Sequence, residues 1–223
     1  MAHIGEALHG SVLESDSSGN TEGRLLVVET LFAREARTTP LTKLQRDLVI
    51  GGLLGDAYLM PTTAGCCFRV SHGQRQRAYV DWQFGLVGTY VRTAPRQCGR
   101  SYYFRTISHP EFAGLREAFY DTHARKVVPI DLLNRELMAF GLAVWFMDDG
   151  ASDRRQVRIN TQGFSREENL ALVEFLQAKF GIRAQLNKDK DRQRLRIGED
   201  SVGRFVSLVS PHVIPSMLYK LPP

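Results

Sequence analysis

Cysteine is scarce: three residues in 223, two of them adjacent at Cys66 and Cys67. That count and spacing exclude a disulfide framework and a CxxC metal site, so an intracellular, reduced protein is expected. No apolar run approaches the roughly 20 residues of a membrane span. The N-terminus lacks a charged start followed by an apolar core, so no secretory signal is expected. The six histidines include no HxH or HExxH spacing, and they read as surface or core residues. No Cys/His nucleophile pair stands out.

What remains is an ordinary globular composition, 43% hydrophobic and 24% charged, in a chain long enough for one large domain or two small ones. The net charge of +5 and a pI near 9.3 lean toward a polyanionic partner. By itself that lean decides nothing, because many basic proteins bind no nucleic acid.

Residues 1–40 read as an extension, partly disordered, with loop chemistry at 14–23 and a short helix or strand at 24–35. From residue 41 the chain reads as if written twice, over 41–130 and 131–223. A helix capped by Thr39 or Thr42 and running to about Asp56 opens the first half. Asp149 follows Asp56 by 93 residues, and the same offset sets Phe112 on Phe205 and Leu115 on Leu208. One residue further in offset, "RKVVP" (125–129) falls on "YKLPP" (219–223). Each half has an apolar helix ending in Asp, then strand-like and helix-like pieces, then a Lys followed shortly by Pro.

Strands alternate their side chains between two faces. In "QVRINTQ" one face carries Gln156, Arg158, Asn160 and Gln162, and in "RQRLRIG" one carries Arg192, Arg194 and Arg196. In the first half Arg69 and Ser71 alternate with Phe68 and Val70, and Tyr103 and Arg105 with Tyr102 and Phe104. Each sheet is therefore expected to have an apolar face and a face of Arg, Gln and Asn with little Asp or Glu, except at 187–194, where acids intervene and the tip is less purely basic. Such side chains read guanine and adenine edges bidentately; a merely solvated face normally mixes signs. Arg75 and Lys188 join these residues as candidate DNA contacts. The rings of Tyr102, Tyr103, Trp82 and Trp145 read as core in preference to base-stacking platforms.

The segments "VIGGLLGDA" (49–57) and "LAVWFMDDG" (142–150) both place Asp eighth, at Asp56 and Asp149. A helix C-terminus is the wrong end for an acid, since unpaired carbonyls there already carry partial negative charge. Gly51 and Gly55 lie one turn apart and permit close approach of a second helix. Two such helices side by side would bring two carboxylates together, and like charges at that distance need a counter-cation. Carboxylate oxygens suit Mg²⁺, and nearby carbonyls help hold it. Asp148, with Gly55 at the matching place, reads as local structure or as a second-layer contributor to the metal site.

Together "VIGGLLGDAYL" and "LAVWFMDDG" resemble the LAGLIDADG homing endonucleases, and "INTQGF" (159–164) and "VIPSMLYKLP" (213–222) resemble the closing half of the single-chain, intron-encoded members. The resemblance covers residues 41–223. It implies an α+β fold of two pseudo-symmetric αββαββα halves, each with a saddle-shaped antiparallel sheet, packed through the two signature helices. It further implies a monomer that binds double-stranded DNA and cuts both strands of a long asymmetric site. Mg²⁺ is the implied cofactor, Mn²⁺ its substitute, and Ca²⁺ is expected to support binding without cleavage. Carried over by residue, Asp56 and Asp149 hold metal with Gly55 and Asp148 beside them, and Lys126 and Lys220 lie near the scissile phosphates. Gln162 orients water, with Ser71 or less readily His72 as its first-half counterpart. Ala57 in place of Gly, and Val144 and Asp148 in place of small residues, depart from the family pattern.

Two other activities fit the same fold: an RNA maturase acting on intron RNA, and a non-cleaving DNA-binding protein. Retention of both acids favours the nuclease. No splice-block Cys or Ser opens the chain and no His-Asn closes it, so a free-standing protein is expected in preference to an intein insert.

Overall fold

The structure, a computed structural model, describes residues 31–153 and 155–223. The expected loop at 14–23 lies outside the described residues, as does the start of the segment at 24–35, whose end belongs to helix α1 (Leu31–Thr38).

Helix α2 (Lys43–Leu54) starts where a capping box predicts. The Thr42 hydroxyl accepts the Gln45 N–H at 3.2 Å, and the Gln45 amide oxygen accepts the Thr42 N–H at 2.9 Å. The helix ends at Leu54, short of Asp56, because Gly55 leaves helical conformation and donates its N–H back to Gly51 and Gly52. The chain continues through β1 (Tyr58–Thr62), β2 (Gly65–Gly73), α3 (Arg77–Val87), β3 (Arg96–Cys98), β4 (Ser101–Arg105) and α4 (Pro110–Phe119). After a linking helix α5 (Ile130–Glu136), the series repeats as α6 (Ala139–Asp149), β5 (Gly150–Ser152), β6 (Val157–Ile159), α7 (Arg166–Phe180), β7 (Ala184–Asp189), β8 (Arg192–Ile197) and α8 (Glu199–Val209). Each half is αββαββα, with antiparallel sheets ordered β1-β2-β4-β3 and β5-β6-β8-β7.

Helices α2 and α6 lie against each other at the centre of one continuous core. Asp47–Leu54 and Gly141–Asp148 are buried throughout. Both read as apolar all round, without a polar stripe, for that reason. Close approach depends on glycine: a Cβ on Gly51 would fall on the Gly141 carbonyl. Helix α6 has no side-chain cap of its own. Instead the buried Asp47 carboxylate reaches across from α2 and accepts the N–H groups of Met138 at 2.9 Å and Gly141 at 2.7 Å. An acid at this N-terminus meets the positive end of the helix dipole.

Phe112 and Phe205, matched in sequence, are both fully buried in α4 and α8. The strands match at a different spacing. Tyr58 pairs Arg69, which pairs Arg105, while Ala151 pairs Arg158, which pairs Arg196. Arg158 thus follows its equivalent Arg69 by 89 residues, against 93 between the two acids, because the first hairpin is longer.

Two glycine substitutions separate packing from propensity. Gly51→Ala is expected to destabilise by roughly 2 kcal/mol or more, since the clash is with backbone. Gly85→Ala, on an exposed part of α3 with nothing near, is expected to stabilise by about 0.5–1 kcal/mol. Urea denaturation of the two variants checks both signs.

Candidate active site and nucleic-acid face

Where α2 and α6 end, the two halves bring their acids to one place. Asp149 is the last residue of α6, and Asp56 stands two residues beyond α2 with its side chain about half exposed. Burial first, and the negative charge of Asp56 second, push the Asp149 carboxyl up to about 7, against the pull of Lys126 and Lys220. Burial and Asp56 also hold the Asp148 carboxyl well above the ordinary range.

Two lysines answer the conflict with the helix dipoles. The Lys126 ammonium donates to the carbonyls of Gly55 at 2.7 Å and Ala57 at 2.6 Å, just past α2. The Lys220 ammonium donates to the carbonyls of Met147 at 2.5 Å and Asp148 at 2.8 Å, at the end of α6. The two arrangements are related by the repeat, and in each the carbonyl before the signature acid is engaged. Burial lowers the pKa of both lysines, with the three aspartates acting the other way.

The donor set fits a divalent ion with open positions. Among the described residues no three His, Cys, Asp or Glu side chains form a closed cage. Two carboxylates and backbone carbonyls, completed by water and phosphate, are what Mg²⁺ ordinarily takes. The charge that Asp56 imposes on Asp149 is the like-charge conflict a cation relieves. A cleft of about 270 Å³ is lined by Gly55, Lys126, Asp149, Asn160 and Gln162, so it draws on both halves.

Strand register corrects the assignment of a Gln162 counterpart. Ser71 pairs Tyr103 as Asn160 aligns with Arg194, which makes Ser71 equivalent to Asn160 and His72 to Thr161. Counting on, Gln162 matches Gly73, which has no side chain. The Gln162 amide is itself engaged, donating to Asp189 at 2.6 Å. His72 points inward, buried between Asp56 and Asp148.

The polar faces form as alternation predicts. Arg69, Ser71, Tyr103 and Arg105 share the outer face of the first sheet, opposite buried Phe68, Val70, Tyr102 and Phe104. Tyr103 is therefore a surface ring, with the Arg69 guanidinium 4.5 Å from its centroid, while Tyr102 and Trp145 are core and Trp82 is half-buried. Arg96 joins this face by pairing with Tyr103 and donating to its hydroxyl at 2.9 Å; the three-residue strand that carries it is too short to show periodicity. Arg75 is exposed in the turn of helix after β2.

In the second sheet Arg158, Arg192, Arg194 and Arg196 share a face with Gln185 and Asn187, which alternation along β7 also places there. Lys188 does not. It aligns by register with Ala184 and Leu186, across from Gln193, and at the sheet's tip it is exposed. Nor is this face free of acids. Asp153 lies 3.7 Å from Arg158 and Asp189 lies 3.8 Å from Arg194, one folded back from the β5–β6 turn and the other at the end of β7. Gln156 accepts a hydrogen bond from Arg196, and the Gln162 carbonyl accepts one from Arg192 at 3.3 Å. No helix among the described residues is long and apolar enough to cross a membrane.

Twin acids at the meeting ends of two core helices, flanked by two polar sheet faces, define a pseudo-symmetric protein with one composite site. Residues 46–205 match the LAGLIDADG DNA endonuclease family, and the chain belongs to it. A probable intron-encoded endonuclease of Wickerhamomyces canadensis is 28% identical over 82% of this chain and 86% of its own length. The homing endonuclease I-WcaI, solved bound to its DNA recognition sequence, is 26% identical, with a TM-score of 0.78 over 89% of this chain and 95% of that one. An I-DmoI variant, solved with its target DNA in the presence of manganese, shares the fold at a TM-score of 0.53 and 12% identity, over 78% of this chain and 98% of that one.

Asp149 sets a pH dependence for the metal-free protein. Its carboxyl titrates near 7 when folded and near 3.8 when unfolded, so between those values the folded state holds the extra proton. The contribution to stability therefore falls as pH rises through that window. Asp149→Asn is expected to raise stability at pH 8 by on the order of 2 kcal/mol, and to lose that advantage near pH 4. Chemical denaturation in EDTA across the range tests it.

Proposed function

We propose that this protein is a site-specific homing endonuclease that makes double-strand breaks in a long asymmetric DNA target as a monomer. The observation that carries the reading is the repeat-related pair of acid and lysine at the joined ends of α2 and α6. Its likeness to intron-encoded endonucleases supports the substrate class.

Phosphodiester hydrolysis needs an activated water, a stabilised pentacovalent phosphate and a neutralised leaving oxygen, and bound Mg²⁺, or Mn²⁺ in its place, supplies all three. Asp56 and Asp149 would hold it, with the Gly55 and Asp148 carbonyls at hand; each carbonyl has a lone pair beyond the one its lysine uses. Lys126 and Lys220, tethered by two hydrogen bonds each, offset negative charge on the scissile phosphates. Gln162 and Asn160 line the cleft beside Asp149 and position water there. Arginines on the sheet faces contact base edges and phosphates. Those held by Asp153, Asp189 and Gln156 present oriented forks for bidentate pairing.

A randomised duplex library incubated in Mg²⁺ is expected to yield new ends at one long site. Ca²⁺ should support binding alone, and EDTA should abolish cutting. Asp56→Asn or Asp149→Asn should lower double-strand cleavage on the order of a thousandfold, the several kcal/mol of charge stabilisation lost with the metal. A library bound but never cut in Mg²⁺ or Mn²⁺ overturns the nuclease reading and directs the test to intron RNA and splicing.

Binding measurements test the sheet faces separately. Arg158→Ala or Arg194→Ala is expected to cost about 1–3 kcal/mol and relax preference at one base position. Lys188→Ala should leave sequence preference unchanged.

A further inference from the structure

The two halves differ at one buried place, directly behind the signature acids. Position 55 in the first half is Gly, and its equivalent in the second is Asp148. Position 72 is His, and its equivalent is Thr161. These two differences meet. The Asp148 side chain crosses from α6 into the space that Gly55 leaves open; a Cβ on Gly55 would stand 2.5 Å from both its Cβ and its Oδ2.

There Asp148 Oδ2 accepts the backbone N–H of Asp56 at 3.2 Å. Its other oxygen, Oδ1, is buried without a hydrogen bond and lies 3.5 Å from His72 Nε2. The opposite ring nitrogen, His72 Nδ1, lies 3.7 Å from Asp56 Oδ2. The His72 ring therefore stands between the Asp148 carboxylate and the Asp56 carboxylate, within 4 Å of an oxygen of each. The His72 ring is 97% out of solvent and is backed by Tyr79, with ring centroids 5.2 Å apart.

Among the described residues nothing comparable stands behind Asp149. The Thr161 hydroxyl is committed elsewhere, donating to Asn169 at 2.5 Å and accepting the Leu195 N–H at 3.2 Å. The place related to Asp148 is Gly55, which has no side chain to offer.

Resting on the endonuclease reading, we propose that His72, acting with Asp148, is a positioning residue for Asp56 alone, so that the two strand-cutting centres are unequal by construction. The Asp148 hydrogen bond to the Asp56 backbone and the buried ring packed against its carboxylate restrict both backbone and side-chain rotation of that acid. A small displacement of a reacting group costs up to about a hundredfold in rate. Loss of the prop therefore slows one strand and leaves the other.

The test uses a plasmid carrying the site that the wild-type protein cuts, with the strands labelled separately. Asp56→Asn identifies the strand that depends on this acid. His72→Phe keeps the ring volume and removes both nitrogens. It is expected to slow that strand by about tenfold to a hundredfold, with less than about a twofold change on the other, so nicked circle accumulates. His72→Gln, which keeps a polar end, is expected to fall between it and wild type. Equal slowing of both strands, or slowing of neither, overturns the proposal.

A second readout needs neither metal nor cleavage. The His72 ring nitrogen resonances, assigned by their loss in His72→Phe, are expected to move in Asp56→Asn and Asp148→Asn and to stay in Asp149→Asn. Resonances that ignore Asp56→Asn overturn the positioning contact. A wild-type protein that cuts no duplex overturns the nuclease reading instead, and the resonance comparison still decides whether His72 senses Asp56.

Discussion

The close contact between α2 and α6 is the constraint on which the rest depends. Two helices whose backbones meet at Gly51 and Gly141 have no room for side chains at the crossing, so their ends are fixed relative to each other. Interiors packed at this density transmit displacement without absorbing it. The acids at those ends are therefore held by the backbone, and the sheets on either side inherit their placement from the same axis. Asp47 strengthens the arrangement by capping α6 from within α2, which ties one half's entry to the other half's helix.

That geometry creates an electrostatic problem at the point where function is proposed. Helix C-terminal carbonyls, Asp56, Asp148 and Asp149 all place negative charge in one partly buried region. Lys126 and Lys220 relieve it by engaging the carbonyls directly, and each arrives from the end of its own repeat. Ammonium groups in this position stabilise the metal-free fold and leave further lone pairs for a cation. The Asp149 carboxyl nevertheless stays raised, by burial first and by Asp56 second.

Pseudo-symmetry is strict in topology and loose in chemistry. The same αββαββα order is built twice, yet the first sheet presents arginines stacked on tyrosine while the second presents arginines braced by acids. Behind the acids the departure is complementary: glycine on one side makes room for aspartate from the other. A duplicated fold can diverge in this way because each half has its own sheet face and its own contacts behind the acids.

Much of this was legible in the residues. Thr42 and Gln45 announce the start of α2, and the eighth-position acids and closing lysines announce the repeat. Period-two alternation assigns Arg69, Arg105, Arg158, Arg194 and Arg196 to outward faces, because side chains in a strand must alternate. Those properties are local, and sequence alone determined them. The partners were not. Lys188 alternates out of step with the arginines and stands exposed at the sheet's tip; Tyr103, which reads both as a candidate contact and as core, shares the arginines' face. The unequal hairpins shift register by residues that no single offset records, so Gln162 and its neighbours found their counterparts only when the strands paired. Likewise, only the tertiary structure decided that Asp47 caps α6, that the lysines sit on carbonyls and that His72 and Asp148 close on Asp56. Each of these contacts spans more than 15 residues of chain, and its distance is set by the packing of whole helices rather than by any property of the residues themselves.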